Sequence, residues 1–255
     1  MKLDPVHNKR PDDPKFVDSL KTPLTEAEAT YYLKTAWKQI YGSEPSIKSL
    51  ALLWAQSCGE TWRWKLLRNN NWGNIKRRVY DTELKWTSYE AGENLTINGV
   101  FKHYMFYPYH NQTHFAAWDD PLDGAKYYIK FLSQKTRYKK AWAALMIGDP
   151  IAYCRELKAG GYFTAPLDHY TKGVVSLTNE FKRKAALLMA WEPPKPELPS
   201  EPEIIEPIPE EPELKPEPEE PEEPEEPVTT IPETKKEAPK NFLLMIIEFI
   251  KNLFS

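Results

Sequence analysis

The feature that most constrains this chain of 255 residues is a long run of proline and glutamate near its C-terminal end. Residues 192–240 hold 15 of the 24 prolines, and 17 glutamates against five lysines, a net charge of −12. Proline lacks a backbone N–H and like charges repel each other, so this run cannot bury a core. We expect a disordered or polyproline II-like spacer, which confines any globular domain to the residues before it.

The segment before the spacer has the composition of a folded domain. All nine tryptophans lie within residues 1–191, which carry a net charge of +9 once the acidic spacer is set apart from the whole-chain charge of −3. A segment of this length can bury a full hydrophobic core. Cys58 and Cys154 fall in apolar helical contexts, where buried free thiols are expected. Residues 1–23, rich in proline and aspartate, are predicted to form an extended N-terminal arm that packs only locally.

Helix start and stop signals recur along the domain. Thr25 and Glu28 form a capping-box pattern ahead of a helical run that Gly42 ends. Ser46 precedes a second helix, whose apolar residues recur at helical spacing. Further helices are predicted downstream, beginning at Asp120-Pro121, at Tyr138, at Ile151 and at Leu167.

The residues between the second and third helices favour strands. Residue types of high β propensity recur from Val79 to Val100, and Gly92 and Asn98-Gly99 are typical of turns. We therefore predict a mainly α (α+β) fold: a helical domain over residues 24–191 with a small β-hairpin lobe inserted after its second helix.

The C-terminal segment, residues 242–254, reads FLLMIIEFIKNLF. Its apolar stretch is too short to span a bilayer, which needs about 20 residues. Glu248 and Lys251 fall on one side of a helical wheel together with the other polar residues of the segment. We therefore predict an amphipathic helix over residues 241–255 that docks on a membrane surface or on a protein partner.

A lone carboxylate and a stretch rich in aromatics and asparagine follow the second helix. Glu60 ends the apolar run, Trp62 lies just beyond it, and Asn70-Asn71-Trp72 come next. A carboxyl group can protonate a glycosidic oxygen at neutral pH when an apolar setting raises its pKa. Aromatic faces stack on sugar rings, and asparagine amides hydrogen-bond to sugar substituents. The stretch favours a sugar-binding cleft, although a glutamate at a helix end is more often a solvated charge.

Three stretches in order resemble the lysozyme-like peptidoglycan hydrolases, above all the flagellar and autolysin-type endo-β-N-acetylglucosaminidases. Residues 55–61 are similar to the Ala-x-x-x-x-Glu-Ser/Thr helix end of that family. Residues 70–76 are similar to its Asn-Asn-aromatic-Gly-x-Lys loop, with Asn74 inserted. Residues 161–166, with Tyr170 beyond, are similar to its Gly-Tyr-Ala-Thr-x-Pro-x-Tyr segment with a small insertion.

The resemblance implies a lysozyme-like fold and an enzyme that cleaves the glycan strand of peptidoglycan without a cofactor. It makes Glu60 the general acid. It makes Tyr162 an essential neighbour that orients a water or stabilises positive charge on the sugar, although Tyr162 also fits a turn tyrosine that caps the core. The substrate-binding residues implied are Asn70, Asn71, Trp72, Trp62 and Thr164. Asparagine runs also form turns without any ligand, and Trp62 stands where the family usually has glycine.

The second carboxylate of such an enzyme is harder to assign. The family often takes it from a Thr-x-Glu in the β lobe, and this sequence lacks that spacing. We predict Glu90, which stands just before Gly92, with Asp81, Glu83 and Glu93 as alternatives. If none serves, the N-acetyl or 6-hydroxyl group of the substrate acts as nucleophile, and the latter gives a lytic transglycosylase. A muramidase on the same fold and a non-catalytic wall-binding tether are further alternatives.

Other partners are not expected. His103, His110 and His114 lack zinc-like spacing, so no metal is predicted. Basic residues are scattered apart from Arg77-Arg78, so nucleic acid is not expected to bind. Residues 1–16 lack the apolar core of a secretory signal peptide. Together with the predicted C-terminal helix, this favours a bacteriophage virion-associated or lysis enzyme acting at the host cell envelope, with a bacterial envelope protein as the alternative.

Overall fold

The computed structural model describes residues 10–78, 80–97 and 100–194, and the side chains of these residues outside 94–101. In this part of the chain the fold is mainly α with a small β lobe, as predicted. The α-helices are α1 (Glu26–Tyr41), α2 (Ile47–Glu60), α3 (Pro121–Gln134), α4 (Lys139–Ile147), α5 (Pro150–Ala159) and α6 (Leu167–Ala190). The strands are β1 (Trp86–Ser88), β2 (Ala91–Ile97), β3 (Val100–Phe106) and β4 (His114–Ala116).

Helix α2 forms the centre of the hydrophobic core. Every residue from Ser49 to Cys58 is buried, and the helix packs against α1, α4 and α6. A helix that is apolar on all sides has to be surrounded by other elements. Its last residue, Glu60, therefore emerges directly from the core of the domain.

Capping contacts confirm the predicted helix boundaries. Thr25 and Glu28 form the capping box, in which the Thr25 hydroxyl accepts from Glu28 N at 3.2 Å and the Glu28 carboxylate accepts from Thr25 N at 2.8 Å. Gly42 ends α1 in the left-handed region, with φ of 72°. The Ser46 hydroxyl caps α2 by accepting from Ser49 N at 3.0 Å.

The β lobe consists of two small antiparallel sheets. In one sheet β2 pairs with β3, and in the other β1 pairs with β4. The predicted turn at residues 98–99 lies outside the described residues. The prediction that Gly92 marks a turn is wrong, because Gly92 lies within β2 opposite Met105. An ideal Cβ at Gly92 would lie 2.5 Å from His103 Cε1, so a side chain there would require the His103 ring to move.

The N-terminal arm makes long-range contacts, which corrects the prediction that it packs only locally. Within residues 10–23, Val17 N donates to Trp86 O at 2.8 Å, and Leu20 O accepts from Asn69 N at 2.9 Å. The extended backbone of the arm needs hydrogen-bond partners, and β1 and the asparagine loop (residues 69–76) provide them. The arm therefore ties these two elements together.

The two cysteines are buried and free, as predicted. Burial raises the pKa of Cys58 and of Cys154 to about 12, so neither is a reactive thiolate at neutral pH. Among the described residues, no helix has both the length and the apolar character needed to cross a bilayer. The predicted spacer beyond residue 194 and the predicted helix over residues 241–255 lie outside the described residues.

Gly124 in α3 provides a test of how tightly the asparagine loop packs on the helices. An ideal Cβ there would lie 2.1 Å from Asn70 O and 3.0 Å from Trp72 Cδ1. We expect Gly124→Ala to lower the free energy of unfolding by about 1–3 kcal/mol, because it overpacks the core. The matched control, Gly173→Ala in α6, meets no described atom within 4 Å and should stabilise by up to about 1 kcal/mol. Chemical denaturation measures both variants, and equal effects would contradict this packing.

Candidate active site

Three segments of the chain meet at the Glu60 carboxyl. Glu60 is the last residue of α2, and it is only partly exposed to solvent. Tyr170 in α6 donates its hydroxyl to Glu60 Oε1 at 2.8 Å. Asn74 Nδ2, in the asparagine loop, donates to the Glu60 backbone carbonyl at 2.6 Å. The side chain is therefore held in place and still reaches the surface.

Burial raises the pKa of Glu60 from an ordinary value of 4.5 to about 7. Removal from water disfavours the charged form of a carboxyl group. The hydrogen bonds from Tyr170 and Asn74 favour the ionised form and oppose the shift, whereas the negative charge of Glu93 adds to it. Glu60 therefore retains its proton closer to neutral pH than an ordinary carboxyl group, as a general acid requires.

Ser57 ties the segment after α2 back onto the helix, one turn before Glu60. Its hydroxyl donates to Trp72 O at 2.8 Å and accepts from Trp64 Nε1 at 3.0 Å. Both indoles are fully buried. The position of the asparagine loop relative to Glu60 is thus fixed from inside the core.

Asn70 and Asn71, which are predicted to bind the substrate, support the loop from within. Asn71 Oδ1 accepts from Ile75 N at 2.8 Å, and its Nδ2 donates to Ile75 O and Ala116 O, both at 2.9 Å. Asn70 Nδ2 donates to Trp118 O at 2.9 Å. Both asparagines are buried. The turn-forming interpretation accounts for these side chains, and their contact with a substrate stays a prediction.

The other predicted substrate-binding residues differ in exposure. Trp72 is fully buried, and its indole N–H donates to Pro121 O at 2.9 Å. Trp62 is partly exposed and lies two residues after Glu60, while Thr164 is exposed. Solvent therefore reaches Trp62 and Thr164, whereas Trp72 acts through the core that it helps to build.

The two tyrosines of the downstream stretch have different tasks. Tyr162 Oη donates to Gly73 O at 3.0 Å, and an ideal Cβ on Gly73 would collide with that hydroxyl. Tyr170 stacks on Phe163, with ring centroids 3.7 Å apart, and contacts Glu60 directly. The family resemblance predicts Tyr162 as the essential neighbour of the acid and assigns no role to Tyr170. The last position of the Pro-x-Tyr pattern is the signal that points to Tyr170.

Among the acidic residues weighed as the second carboxylate, Glu93 lies within electrostatic reach of Glu60. It lies in β2, is 21% exposed, and its Oε1 is 2.5 Å from Lys76 Nζ. Glu90, the predicted residue, is exposed in the connection between β1 and β2. Its assignment as the second carboxylate stays a prediction.

Two histidines of the β lobe pack on aromatic rings. His110 stacks on Phe106 with centroids 4.5 Å apart, and His114 lies 4.2 Å from the Trp86 ring. Within the described ranges, no group of three or more His, Cys, Asp or Glu side chains is placed to hold a metal ion.

Comparison with known proteins finds only distant likenesses. No protein-family model matches the chain, and no curated protein sequence matches it. Its structure is similar to that of a mutant peptidoglycan hydrolase from Sphingomonas sp. A1, at 22% sequence identity and a TM-score of 0.44, covering 64% of this chain and 92% of the other. It is also similar to the peptidoglycan hydrolase of the same organism, at 19% sequence identity and a TM-score of 0.39, covering 67% of this chain and 93% of the other. Such values do not establish a shared function.

The raised pKa of Glu60 makes the stability of the fold depend on pH. The unfolded chain loses the Glu60 proton near pH 4.5 and the folded chain near pH 7. Between these values the folded state binds more protons, so its stability falls as the pH rises. Glu60→Gln stays neutral at every pH and should remove this fall, so that the variant is more stable than wild type above about pH 7. Thermal unfolding between about pH 4 and 8 measures this, and parallel curves for the two proteins would contradict it.

Proposed function

We propose that this protein is a glycosidase that cleaves the glycan strand of peptidoglycan, with Glu60 as its general acid. The observation that carries the proposal is the partly exposed Glu60 carboxyl, whose pKa is raised to about 7 by burial at a helix end. The three sequence stretches that resemble the lysozyme-like hydrolases supply the substrate class. The net charge of +9 over residues 1–191 suits an anionic cell wall.

The hydrogen bonds around Glu60 suit a proton donor. Tyr170 donates to Oε1, so the acidic proton resides on Oε2. Transfer of that proton to the glycosidic oxygen lets the C1–O bond break, with both bonding electrons going to the leaving oxygen. The carboxylate left behind is stabilised by Tyr170 and Asn74, which favour the ionised form. The contacts that hold the acid therefore also stabilise the product of proton transfer.

We infer that Glu93 is the second carboxylate and prefer it to Glu90. A charge within reach of the sugar is needed to stabilise the positive charge on C1 or to activate a water. Glu93 acts electrostatically on Glu60, and Lys76 compensates its charge at 2.5 Å.

The choice of glycosidic bond rests on the family resemblance alone. It predicts hydrolysis of the bond on the reducing side of N-acetylglucosamine, as in the β-N-acetylglucosaminidases. Attachment through residues 242–254 to a membrane surface or a protein partner, and a bacteriophage role at the host envelope, stay predictions from the sequence. These residues lie outside the described part of the chain.

Zymography on purified peptidoglycan tests the proposal. Wild type should clear the wall, and Glu60→Gln should lose activity by on the order of 100-fold or more, because a glutamine amide cannot supply the proton. Mass spectrometry of the products should find reducing N-acetylglucosamine ends. Intact peptidoglycan after wild-type treatment would refute the proposal that this protein is a glycosidase. Clearing by Glu60→Gln as strong as by wild type would refute it as well.

The second carboxylate is tested by two variants in the same assay. Glu93→Gln should lose activity by on the order of 100-fold, while the exposed Glu90→Gln should stay close to wild type. Thermal unfolding of each variant shows that it is folded. The reverse ranking would return the role to Glu90. Activity in both variants, with anhydro product ends, would assign the step to the substrate 6-hydroxyl group.

A further inference from the structure

The three residues after Thr61 adopt a backbone conformation that their side chains disfavour. Trp62, Arg63 and Trp64 have φ values of 50°, 55° and 57°. In this left-handed region the Cβ atom crowds the backbone, so residues other than glycine enter it singly and rarely. Such strain persists only where surrounding contacts over-determine it, and it concentrates at functional sites.

The turn ends α2 with the hydrogen bond of a Schellman motif. Arg63 N donates to Cys58 O at 2.8 Å, the bond expected two positions past the helix cap. Trp62 occupies the position before it, which glycine usually fills because the motif needs a positive φ there. A bulky side chain therefore stands where the backbone favours none.

The left-handed turn frees the Glu60 carbonyl for the asparagine loop. In a continued right-handed helix this carbonyl would accept from Trp64 N, four residues on. Instead it accepts from Asn74 Nδ2 at 2.6 Å, and Trp64 N donates to Thr61 Oγ1 at 3.2 Å. Relaxation of the turn would break the Asn74 contact and rotate the end of α2 that carries Glu60.

Arg63 anchors the turn to two helices. Its Nη1 lies 2.5 Å from Glu26 Oε1 in α1, and its Nη2 lies 2.6 Å from Glu180 Oε2 in α6. The pair with Glu180 is bidentate, because Nη1 also donates to Glu180 Oε1 at 3.0 Å. The side chains of Arg63, Glu26 and Glu180 are 21%, 27% and 14% exposed, respectively. Solvent therefore screens these ion pairs only weakly.

We propose that Arg63, Glu26 and Glu180 form a clamp that holds the strained turn and thereby positions Glu60 for proton transfer. This rests on the proposed function, in which Glu60 is the acid. Arg63 is a positioning residue, because its effect reaches the carboxyl only through the backbone of residues 60–64. Trp64, bonded to Ser57 in the core, fixes the other side of the turn.

Glu180→Gln tests the clamp, because it keeps the side-chain shape and removes the bidentate ion pair. We expect kcat on a soluble glycan to fall on the order of tenfold with KM within about twofold of wild type, since a misplacement of about 1 Å can cost 100-fold. The matched control is Lys184→Ala, which removes the ion pairs of Lys184 with Glu26 and Glu180. It leaves Arg63 and both of its carboxylate partners in place. Its kcat should stay within about twofold of wild type.

A second background separates strain from general destabilisation. Glycine adopts a positive φ readily, so Trp62→Gly should remove the strain at the first of the three residues and make the turn depend less on the clamp. In the Trp62→Gly background, Glu180→Gln should therefore lower kcat by a smaller factor than it does in the wild-type background. An unchanged kcat for Glu180→Gln alone, or the same loss in both backgrounds, would overturn the clamp.

A readout without catalysis keeps this test independent of the proposed function. Glu180→Gln should lower the pKa of Glu60 from about 7 toward 4.5, because a relaxed turn exposes the carboxyl group to water. A carbon-detected NMR titration measures this change. An unmoved pKa would refute the clamp even if no glycan is cleaved. Wild type that cleaves no peptidoglycan would instead refute the glycosidase.

Discussion

The contact on which the site depends most is made by Ser57, one turn before the end of α2. Its hydroxyl joins the carbonyl of Trp72 to the indole of Trp64, and all these groups lie inside the core. The asparagine loop and the left-handed turn are therefore located from the same residue of the same helix. Glu60 follows three positions later, so it receives a fixed position that surface loops alone do not provide.

The electrostatics of Glu60 are a balance between two opposing effects. Burial and the negative charge of Glu93 favour the protonated form, whereas the bonds from Tyr170 and Asn74 favour the ionised form. A carboxyl group governed by burial alone would keep its proton too tightly, and one governed by its hydrogen bonds would have lost it. The balance near pH 7 allows the same group to give up a proton and to recover it.

Much of this arrangement can be predicted from the sequence, because local rules determine it. Thr25, Ser46 and Gly42 fix helix ends through contacts within a few residues, and such contacts follow from residue type. The motif stretches likewise place Glu60 at a helix end before an asparagine loop. These predictions need no knowledge of the tertiary structure.

The predictions that fail depend on distant contacts. Gly92 is predicted to form a turn because the sequence alone does not show that His103 packs against it across the strand pair. The residue types of Trp62-Arg63-Trp64 disfavour a left-handed turn, which tertiary ion pairs and a buried indole impose on them. The one signal for it is that Trp62 stands where the resembled family usually has glycine. Burial likewise decides that Asn70 and Asn71 support the loop from within.

The central claim is that Glu60 keeps its proton to a much higher pH than an ordinary carboxyl group does. A carbon-detected NMR titration of its carboxyl group in the full-length wild-type protein, assigned by loss of the signal in Glu60→Gln, measures this directly. The account predicts a midpoint near pH 7, and a higher midpoint in Tyr170→Phe, which lacks the bond that favours the ionised form. A wild-type midpoint near 4.5 would mean a solvated carboxylate at the helix end and would contradict the account.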